Sequence, residues 1–370
     1  IINTVERRGQ SARPCVPKIL RRRCPMAQIR SKPFGVTKEG ANVTEYILSN
    51  PGGLTVSVLD YGCVIKSIIV PAKNGPVDVV IGHDTMADYE ADFNSSGSTC
   101  CGAFVGRYAN RIENAVFTVG GKTYQLEANN GPNHLHGCFS RKLYRVKSFG
   151  DTLLMEAESP DGEDGFPGNL KIAVRYTLTE DNAFRMDYRV SSDADTIVNL
   201  TNHSYFNLTG CKAPVLSHIY MIRADSITLA DSIGIPTGEL MSVTGTEYDY
   251  TSALSAEMRI KKMGKGYDIN YKLNKSSDSP ELAAIVVEPI SGRVLKAYTT
   301  EPGMQFYIPN SNMDYLTGHG GRIYGEYYGF CLEMQHFPNS PNIPQFPTTS
   351  LFPGDTYRQT TVYKFETLSE

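Results

Sequence analysis

The stretch that decides the fold of this chain reads Gly329-Phe330-Cys331-Leu332-Glu333-Met334-Gln335-His336-Phe337-Pro338-Asn339. We predict a strand that runs into a polar loop. Side chains alternate between the two faces of a strand, so Phe330, Leu332 and Met334 share one face and can join a core. Glu333 and Gln335 then point the other way and offer a carboxylate and an amide to a cleft. A mid-strand Glu is also commonly a solvated residue of an outer sheet face, so the spacing alone leaves both interpretations open.

The rest of the chain has the texture of an all-β protein. Short runs rich in Val, Ile, Thr, Tyr and Phe alternate with Gly, Asn, Asp and Pro from about residue 34 onward. The predicted strands include 54–59, 64–70, 77–81, 115–119, 153–157, 171–178, 183–190, 219–222, 226–230, 282–288, 294–299, 304–308 and 360–365. Hairpin turns are expected at 120–121 and 180–182, and one short helix within 252–263. We therefore predict a large antiparallel β-sandwich that forms a single domain, residues 31–370.

The first 30 residues differ from the remainder. They carry seven basic residues before Met26 and a single acid, Glu6, without any apolar periodicity. We expect this basic segment, residues 1–30, to be disordered because it cannot bury enough apolar surface. Two interpretations compete: an Arg-rich organelle-targeting leader, or sequence upstream of a natural start at Met26. We favour the second because the segment has neither a clear amphipathic helix nor an initiating Met.

Composition excludes several functional classes. The 36 basic and 39 acidic residues leave a net charge of −3, so we expect neither nucleic acid nor anionic membrane as a partner. The sequence has no apolar run of 18 or more residues, and no transmembrane helix is expected. The eight cysteines are scattered without a C-x-x-C pair. They indicate free thiols of a reducing compartment, and we expect a cytoplasmic protein.

Six segments break the strand pattern with polar residues. They are 106–111, 129–137, 199–207, 266–270, 301–307 and the opening stretch. We interpret 199–207 as a polar strand and 266–270 as a short loop. Each segment alone has an ordinary explanation: His203 could be a satisfied core histidine, and Arg107 and Arg111 could form surface ion pairs. Together they suit a polyhydroxylated ligand, because carboxylates and amides accept from hydroxyls while Arg and His donate.

The same segments resemble the aldose 1-epimerase (galactose mutarotase) family. The motifs that carry the resemblance are Asn110-Arg111-Ile112, Leu135-His136-Gly137, the run 202–208, Gly266-Tyr267-Asp268, the run 302–306, Leu332-Glu333 and the run 159–168. They occur in the family's order over about residues 34–366. The resemblance implies a galactose mutarotase-like supersandwich, built from large twisted antiparallel sheets with a cleft for a sugar.

The resemblance also implies an activity and residues for it. The activity is the interconversion of α and β anomers of free hexoses, without cofactor or metal, in hexose metabolism. Glu333 falls on the general base and His203 on the general acid. The sugar-contacting positions fall on Asn110, Arg111, His136, Ser204, Tyr205, Asp268 and Gln305. The chain departs from the family pattern after Gly137, where Cys138 replaces a second Gly and the loop is shortened.

This reaction makes definite demands on the two catalytic groups. One proton leaves the anomeric hydroxyl while another reaches the ring oxygen, so the groups must approach adjacent oxygens at about 3 Å. Glu333 would begin charged and His203 protonated. A free His has a pKa near 6.5, so we expect negative neighbours such as Glu333 or Asp268 to raise the pKa of His203.

A metal site is the first alternative. His134 and His136 would lie on one side of a strand, and His203 would complete a three-histidine zinc site. Gly131 and Pro132 argue against it, since they make this segment a loop.

Two further alternatives keep the sugar ligand. A non-catalytic sugar-binding module needs no acid and base, whereas Glu333 and His203 both stand in unbroken motifs and favour an enzyme. An epimerase of hexose phosphates needs a cluster of cations, for which Arg107 and Arg111 are the candidates. We expect a small-molecule sugar as the partner and a monomer or weak dimer.

Overall fold

The computed structural model describes residues 27–72, 75–95, 97–311 and 313–368. The strands in these ranges are β1 (Gln28–Val36), β2 (Asn42–Ser49), β3 (Thr55–Leu59), β4 (Ile65–Val70), β5 (Val77–Asp78), β6 (Phe104–Val105), β7 (Tyr108–Ile112), β8 (Val116–Val119), β9 (Lys122–Gln125), β10 (His134–His136), β11 (Arg145–Phe149), β12 (Thr152–Ser159), β13 (Leu170–Leu178), β14 (Ala183–Ser192), β15 (Thr196–Ile197), β16 (Thr201–Asn202), β17 (Ile219–Ile222), β18 (Ser226–Ala230), β19 (Pro236–Ser242), β20 (Leu254–Ser255), β21 (Tyr267–Lys272), β22 (Glu281–Val287), β23 (Arg293–Thr299), β24 (Gly303–Ile308), β25 (Met313–Thr317), β26 (Ile323–Tyr324), β27 (Cys331–Gln335), β28 (Ser350–Leu351) and β29 (Tyr357–Thr367). The helices are α1 (Met86–Phe93) and α2 (Glu257–Met263).

The largest sheet has nine strands in the order β11-β12-β13-β14-β29-β23-β22-β17-β20. Its neighbouring strands pair antiparallel, as in the long ladder from Leu170↔Ser192 to Leu178↔Phe184. Strand β13 alternates in burial, and its even-numbered residues, such as Val174, face the core. This period of two is the pattern of a sheet with one covered face.

Two five-stranded sheets complete the main architecture, in the orders β1-β2-β3-β4-β5 and β19-β18-β21-β24-β27. One buried apolar cluster contains Val56 of the first, Phe306 and Leu332 of the second, and Val174 of the nine-stranded sheet. The sheets therefore share a core, which confirms the predicted all-β antiparallel sandwich.

Strand β27 behaves as its alternation predicts on the apolar side. Phe330, Leu332 and Met334 all belong to the shared core. The opposite face is also buried, including Glu333 and Gln335. Glu333 is therefore not a solvated residue of an outer face, and the open question at this position is resolved.

The hairpins and the predicted helix lie where the sequence indicates them. Val119 pairs with Lys122 across Gly120 and Gly121, which both have positive φ, as tight hairpin turns require. The turn at 180–182 joins β13 to β14, and α2 lies inside the predicted range. Helix α1 was not predicted. Its signal was the N-cap Thr85, whose hydroxyl accepts from the Asp88 backbone N–H at 3.2 Å.

Two predictions of local structure are wrong. Only Thr201–Asn202 of the segment 199–207 is a strand, because Asn202 Oδ1 accepts from the Ser204 backbone N–H at 3.1 Å and replaces a ladder partner. The segment 266–270 is not a loop, since Asp268 lies in β21 and pairs with Tyr307. The prediction gave the turn-forming residues Gly266, Asp268 and Asn270 more weight than the alternating pattern of the segment, which favours a strand.

The predicted boundary between the N-terminal segment, residues 1–30, and the domain, residues 31–370, differs from the structure by a few residues. Residues 1–26 lie outside the described residues, so the prediction of disorder there stays a prediction, while Gln28–Arg30 belong to β1. That residues 31–370 form one domain also stays a prediction. The six described cysteines are free, as expected. Within the described ranges no helix is long and apolar enough to cross a membrane.

Candidate active site

A buried carboxylate–imidazole pair lies at the centre of the polar face of the sheet that ends in β27. His203 Nε2 is 3.6 Å from Glu333 Oε1. Their side chains are only 7% and 3% exposed. Glu333 Oε2 has no hydrogen-bond partner among the described residues. The two groups are close enough to serve adjacent atoms of one ligand, but they do not bind each other directly.

Strand register brings the neighbouring polar groups beside Glu333. Asn270, Gln305 and Glu333 lie opposite one another on β21, β24 and β27. Residues opposite each other on adjacent strands point to the same face. An acid and two amides therefore line one row across three strands, although they are up to 63 positions apart in the sequence.

His203 is held from behind by apolar and weakly polar groups. Its Nδ1 is 3.6 Å from Cys331 Sγ, and its ring packs on Tyr205 at 5.1 Å between centroids. The backbone N–H of His203 donates to Ala103 O at 2.9 Å. These contacts direct Nε2 toward Glu333 without placing a second acid against the imidazole.

His136 reaches the pair through an irregular turn of backbone. The register of β10 against β7 shifts between Leu135 and His136, and His136 has φ of 66°, which is uncommon for a residue with a side chain. Such bulges re-aim a side chain. The ring of His136 consequently lies against that of His203, with centroids 5.4 Å apart.

The hydrogen bond to His136 defines its tautomer. The backbone N–H of Asn110 donates to His136 Nδ1 at 3.1 Å, so Nδ1 is the acceptor and Nε2 carries the proton. Burial, with added repulsion from His203 and Arg111, lowers the pKa of His136 well below its ordinary value. His136 is therefore a neutral donor through Nε2–H.

A second polar group forms around Asp268. Gln305 Nε2 donates to Asp268 Oδ1 at 2.6 Å, and Arg111 Nη1 is 3.6 Å from Asp268 Oδ2. Arg111 Nε also donates to Asn130 Oδ1 at 3.2 Å. Gln305 Oε1 has no partner among the described residues, and Asp268 is half-exposed. The group can both donate to and accept from a hydroxylated ligand.

Three of the predicted sugar-contacting residues have other contacts as well. Ser204 Oγ donates to Asn202 Oδ1 at 2.7 Å within its own loop, and Asn110 Oδ1 accepts from the Arg111 backbone N–H at 2.9 Å. Tyr205 is buried against His203 in a small apolar cluster that includes Cys331. These contacts support the loops that carry the catalytic pair, and direct sugar contact by the three residues stays a prediction.

The electrostatics of the pair differ from the sequence-based expectation. Burial raises the pKa of Glu333 well above its usual range, Asp268 adds to the rise, and Arg111 opposes it. Burial also lowers the pKa of His203 to about 4, although Asp92 and Asp268 act in the opposite direction. The expected rise in the pKa of His203 is therefore wrong, because lost hydration outweighs the attraction of the acids.

The hypothetical three-histidine metal site does not form. The bulge between Leu135 and His136 turns the His136 side chain away from His134. His134 Nδ1 instead lies 2.8 Å from Glu127 O, and the His134 ring contacts Phe166. His136, His203 and Glu333 instead bring three ligand-type atoms within 4.8 Å of one another. Two imidazoles and a carboxylate could also hold zinc, so this set needs a direct test.

Sequence reasoning missed two residues beside the pair. Cys331, in contact with His203, was predicted to be a free thiol on the same face of the strand as Glu333, but no role in the site was assigned to it. Tyr307 pairs with Cys331 and Asp268 across the strands, and its ring lies 6.2 Å from that of His203. Alternation was the signal, since each lies two positions from a predicted site residue, Glu333 or Gln305.

An antiparallel β-sandwich with a buried acid–base pair among hydroxyl-binding side chains defines a class of carbohydrate-active proteins, and comparison with known proteins specifies it. The sequence model of the family described as aldose 1-epimerase matches residues 44–364. Galactose mutarotase from Bos taurus is 39% identical over 346 residues, which cover 92% of this chain and 99% of that protein. Aldose 1-epimerase from Escherichia coli K12 is 36% identical over 333 residues, or 86% of this chain and 94% of that protein.

Solved structures agree with the sequence relatives. The crystal structure of a GalM/aldose epimerase homologue from C. elegans superposes with a TM-score of 0.81 at 29% identity, covering 92% of this chain and 100% of that one. Galactose 1-epimerase from Lactobacillus acidophilus gives 0.79 at 25% identity, with 93% and 100% covered. The chain belongs to the aldose 1-epimerase family, and the predicted resemblance is confirmed.

Proposed function

We propose that this protein catalyses the interconversion of the α and β anomers of free hexoses such as galactose and glucose, as a step of hexose metabolism. The protein is an isomerase of the aldose 1-epimerase type. The observation that carries the catalytic assignment is the buried pair, with His203 Nε2 3.6 Å from Glu333 Oε1. That spacing lets one group address the anomeric hydroxyl and the other the ring oxygen, since both oxygens are bonded to the same carbon.

The two side chains account for both proton transfers. Glu333 takes the proton of the anomeric hydroxyl while His203 delivers one to the ring oxygen, and the C1–O5 bond breaks to give the open-chain aldehyde. After rotation about C1–C2, the O5 hydroxyl attacks the other face of the carbonyl. His203 then takes the O5 proton, and Glu333 returns one to the anomeric oxygen. The protonation of both groups is restored, as general acid–base catalysis in both directions requires.

The pKa shifts act in the direction of ring opening. A raised pKa makes the Glu333 carboxylate a stronger base, and a lowered pKa makes the His203 imidazolium a stronger acid. In the reacting complex the pair is charged while the sugar is cyclic and becomes neutral when the sugar opens, with one proton shared in both states. The pKa shifts favour the neutral arrangement, with the proton on Glu333, so the charged arrangement is the less populated one before reaction. Burial disfavours the charged form, so it lowers the free energy of the open-chain complex relative to the cyclic one.

The surrounding residues are assigned to binding. His136 donates to a sugar hydroxyl through its Nε2–H, while Arg111, Asp268 and Gln305 bind hydroxyls at the half-exposed end of the site. Asn110 positions His136 through its backbone N–H and Arg111 through its side-chain Oδ1. Ser204 and Tyr205 complete the set of predicted sugar contacts from the loop that carries the general acid.

We further propose a single domain over residues 31–370, a cytoplasmic location, and a monomer or weak dimer whose partner is the small-molecule sugar. The free state of all six described cysteines supports a reducing compartment. The core cluster that joins the three large sheets supports a single cooperative unit.

Polarimetry tests the proposed reaction. Freshly dissolved α-galactose and α-glucose should reach their equilibrium rotation faster with the purified protein than in buffer. Rotation that changes at the buffer rate would leave a binding module as the better interpretation. Metal analysis of the same sample decides between acid–base catalysis and a zinc site at His136, His203 and Glu333: a stoichiometric metal required for activity would overturn the mechanism given above.

A further inference from the structure

A second His–Glu pair lies one residue beyond β27, and the proposed reaction does not use it. His336 Nδ1 is 2.6 Å from Glu301 Oε2. The Glu301 side chain is 3% exposed, whereas that of His336 is 20% exposed. Among the described residues His336 Nε2 has no recorded hydrogen-bond partner, and it is not a fully buried atom. The outer edge of the imidazole is therefore accessible.

That edge borders a large cavity of about 1270 Å³. None of the nine residues assigned to the sugar site lines this cavity. Small-molecule sites typically measure about 300–1,000 Å³, so the space accommodates an organic molecule and not only an inorganic ion. The cavity shares no lining residue with the sugar site and is formed by residues of two sheets, including Lys272 of β21 and Arg358 of β29.

Cationic side chains outnumber acidic ones on the cavity wall. Lys272 and Arg358 line it and form no ion pair or side-chain hydrogen bond within the described part of the chain. Lys275 Nζ donates to the Ser279 and Thr299 carbonyls at 3.0 and 2.9 Å, and nearby acids, Glu281 first among them, partly balance its charge. The acids on the wall are Asp278 and Glu301, and the second is already engaged by His336.

The imidazole adds to this positive charge. Burial alone would lower the pKa of His336, but the charge and hydrogen bond of Glu301 outweigh it and raise the pKa above the ordinary value. With Nδ1–H donating to Glu301, a protonated His336 directs its Nε2–H outward. Lys272, Arg358 and His336 thus each contribute a donor to the wall of the same cavity.

Another part of the wall is apolar. Leu273, Phe346 and Pro347 line it, and Phe346 is held edge-on against Phe337 at 5.1 Å between ring centroids. Apolar walls of this kind cover the C–H groups of a ligand, while a few placed polar groups orient it. The cavity therefore suits a molecule with a charged end and a carbon body.

We propose that this cavity binds a small phosphorylated organic molecule of about the size of a sugar phosphate. Lys272, Arg358 and His336 bind the phosphate, whose three terminal oxygens match several charge-assisted donors better than a planar carboxylate does. Leu273 and Phe346 cover the carbon body. The site does not depend on the proposed mutarotation, and it is occupied independently of the sugar site.

Isothermal titration calorimetry tests this binding with sorbitol 6-phosphate, which has no ring and no anomeric carbon. The whole chain is titrated in the presence of saturating galactose, so that the sugar site is filled. We expect saturable binding that weakens with added salt, and no comparable binding of sorbitol or of gluconate. Absence of binding, displacement by galactose, or equal binding of gluconate would each overturn the proposal.

Variants locate the phosphate. Lys272→Gln and Arg358→Gln should each weaken sorbitol 6-phosphate binding by about tenfold or more, because each removes one charge-assisted hydrogen bond. Lys261→Gln is the matched control, since Lys261 is 70% exposed on α2 and away from the cavity. Both cations are exposed, so folding is not at risk and a thermal melt verifies it. Unchanged affinity in the double variant would refute the assignment.

Discussion

Two His–Glu pairs are carried by strand β27 and the residue that follows it, one through Glu333 and the other through His336, three positions later. The pKa shifts of their imidazoles have opposite signs. In the first, His203 and Glu333 approach to 3.6 Å, and burial lowers the pKa of the imidazole while raising that of the carboxyl. In the second, His336 and Glu301 approach to 2.6 Å, and the pKa of the imidazole is raised. The carboxylates of both pairs are 3% exposed, and burial acts to lower the pKa of both imidazoles, so burial alone does not account for the opposite shifts.

The difference is direct contact. Where imidazole and carboxylate share a hydrogen bond, the bond and the charge attraction repay lost hydration and hold an ion pair. Where a gap remains, each group keeps the cost of burial and becomes a more reactive acid or base. A gap that a substrate can fill suits catalysis, so we call His203 and Glu333 the open pair. A pair in direct contact suits a fixed charge, so we call His336 and Glu301 the closed pair. Four predictions test this comparison.

The largest expected effect is loss of the base in the open pair. Glu333→Gln keeps the shape and a hydrogen-bonding group but removes basicity, so kcat should fall by about 10²–10⁴-fold with a modest change in KM. Polarimetric rates measure it. Glu156→Gln, an exposed position on β12, is the matched control and should retain the wild-type rate. A near wild-type kcat for Glu333→Gln would make this carboxylate a bystander.

Loss of the acid should resemble loss of the base. His203→Asn removes the proton donor and should lower kcat by a similar factor. The double variant should lose much less than the product of the two single losses, because both groups act in one proton-transfer sequence. Full additivity in the same assay would show that the two residues act in separate steps.

The closed pair should matter for stability and not for proton transfer. Glu301→Gln weakens a hydrogen bond to a charged group and should cost about 1.5–3 kcal/mol of unfolding free energy. The pKa of His336 is raised on folding, so this contribution is fully present below its unfolded pKa, about 6.5. It is lost as pH rises through the folded value.

Urea unfolding of wild type and Glu301→Gln between pH 5.5 and 9 measures that dependence. The stability difference should be largest at the acid end and shrink toward the alkaline end. A difference that is constant, or that grows with pH, would contradict a protonated His336.

The smallest expected effect concerns the pH dependence of activity: the pH at which the rate falls on the acid side (the acid limb) and on the alkaline side (the alkaline limb). The active open pair carries one proton, so activity falls when it gains a second or loses the last. Because burial lowers the pKa of His203 to about 4, the acid limb should lie well below the ordinary value of a His. The raised pKa of Glu333 delays the alkaline limb. Both limbs are properties of the coupled pair and not of either residue alone.

The pH profile of kcat/KM measures both limbs. If Glu333 begins charged and His203 protonated, as the sequence analysis expects, the acid limb is protonation of Glu333 and the alkaline limb is loss of the proton from His203. The pKa shifts in the folded chain reverse that assignment. An acid limb near pH 6.5 would contradict the lowered pKa of His203.

The sequence alone determined the fold class and the residue types of the site. Alternation along single strands requires only local geometry, which is why β17 and β18 agree with their predicted ranges and why the core face of β27 was predictable. Glu333 and His203 stand in motifs whose order along the chain identified the family, so the pair could be named before any distance was known.

The tertiary structure alone decided how those groups behave. The pKa of His203 depends on how much water the fold excludes, and the contact of His336 with Glu301 depends on two segments 35 positions apart. The turn of His136 away from His134 depends on a shift of register against another strand. Hydration, contact distance and register are properties of chain segments brought together from afar, and no local pattern in the sequence carries them.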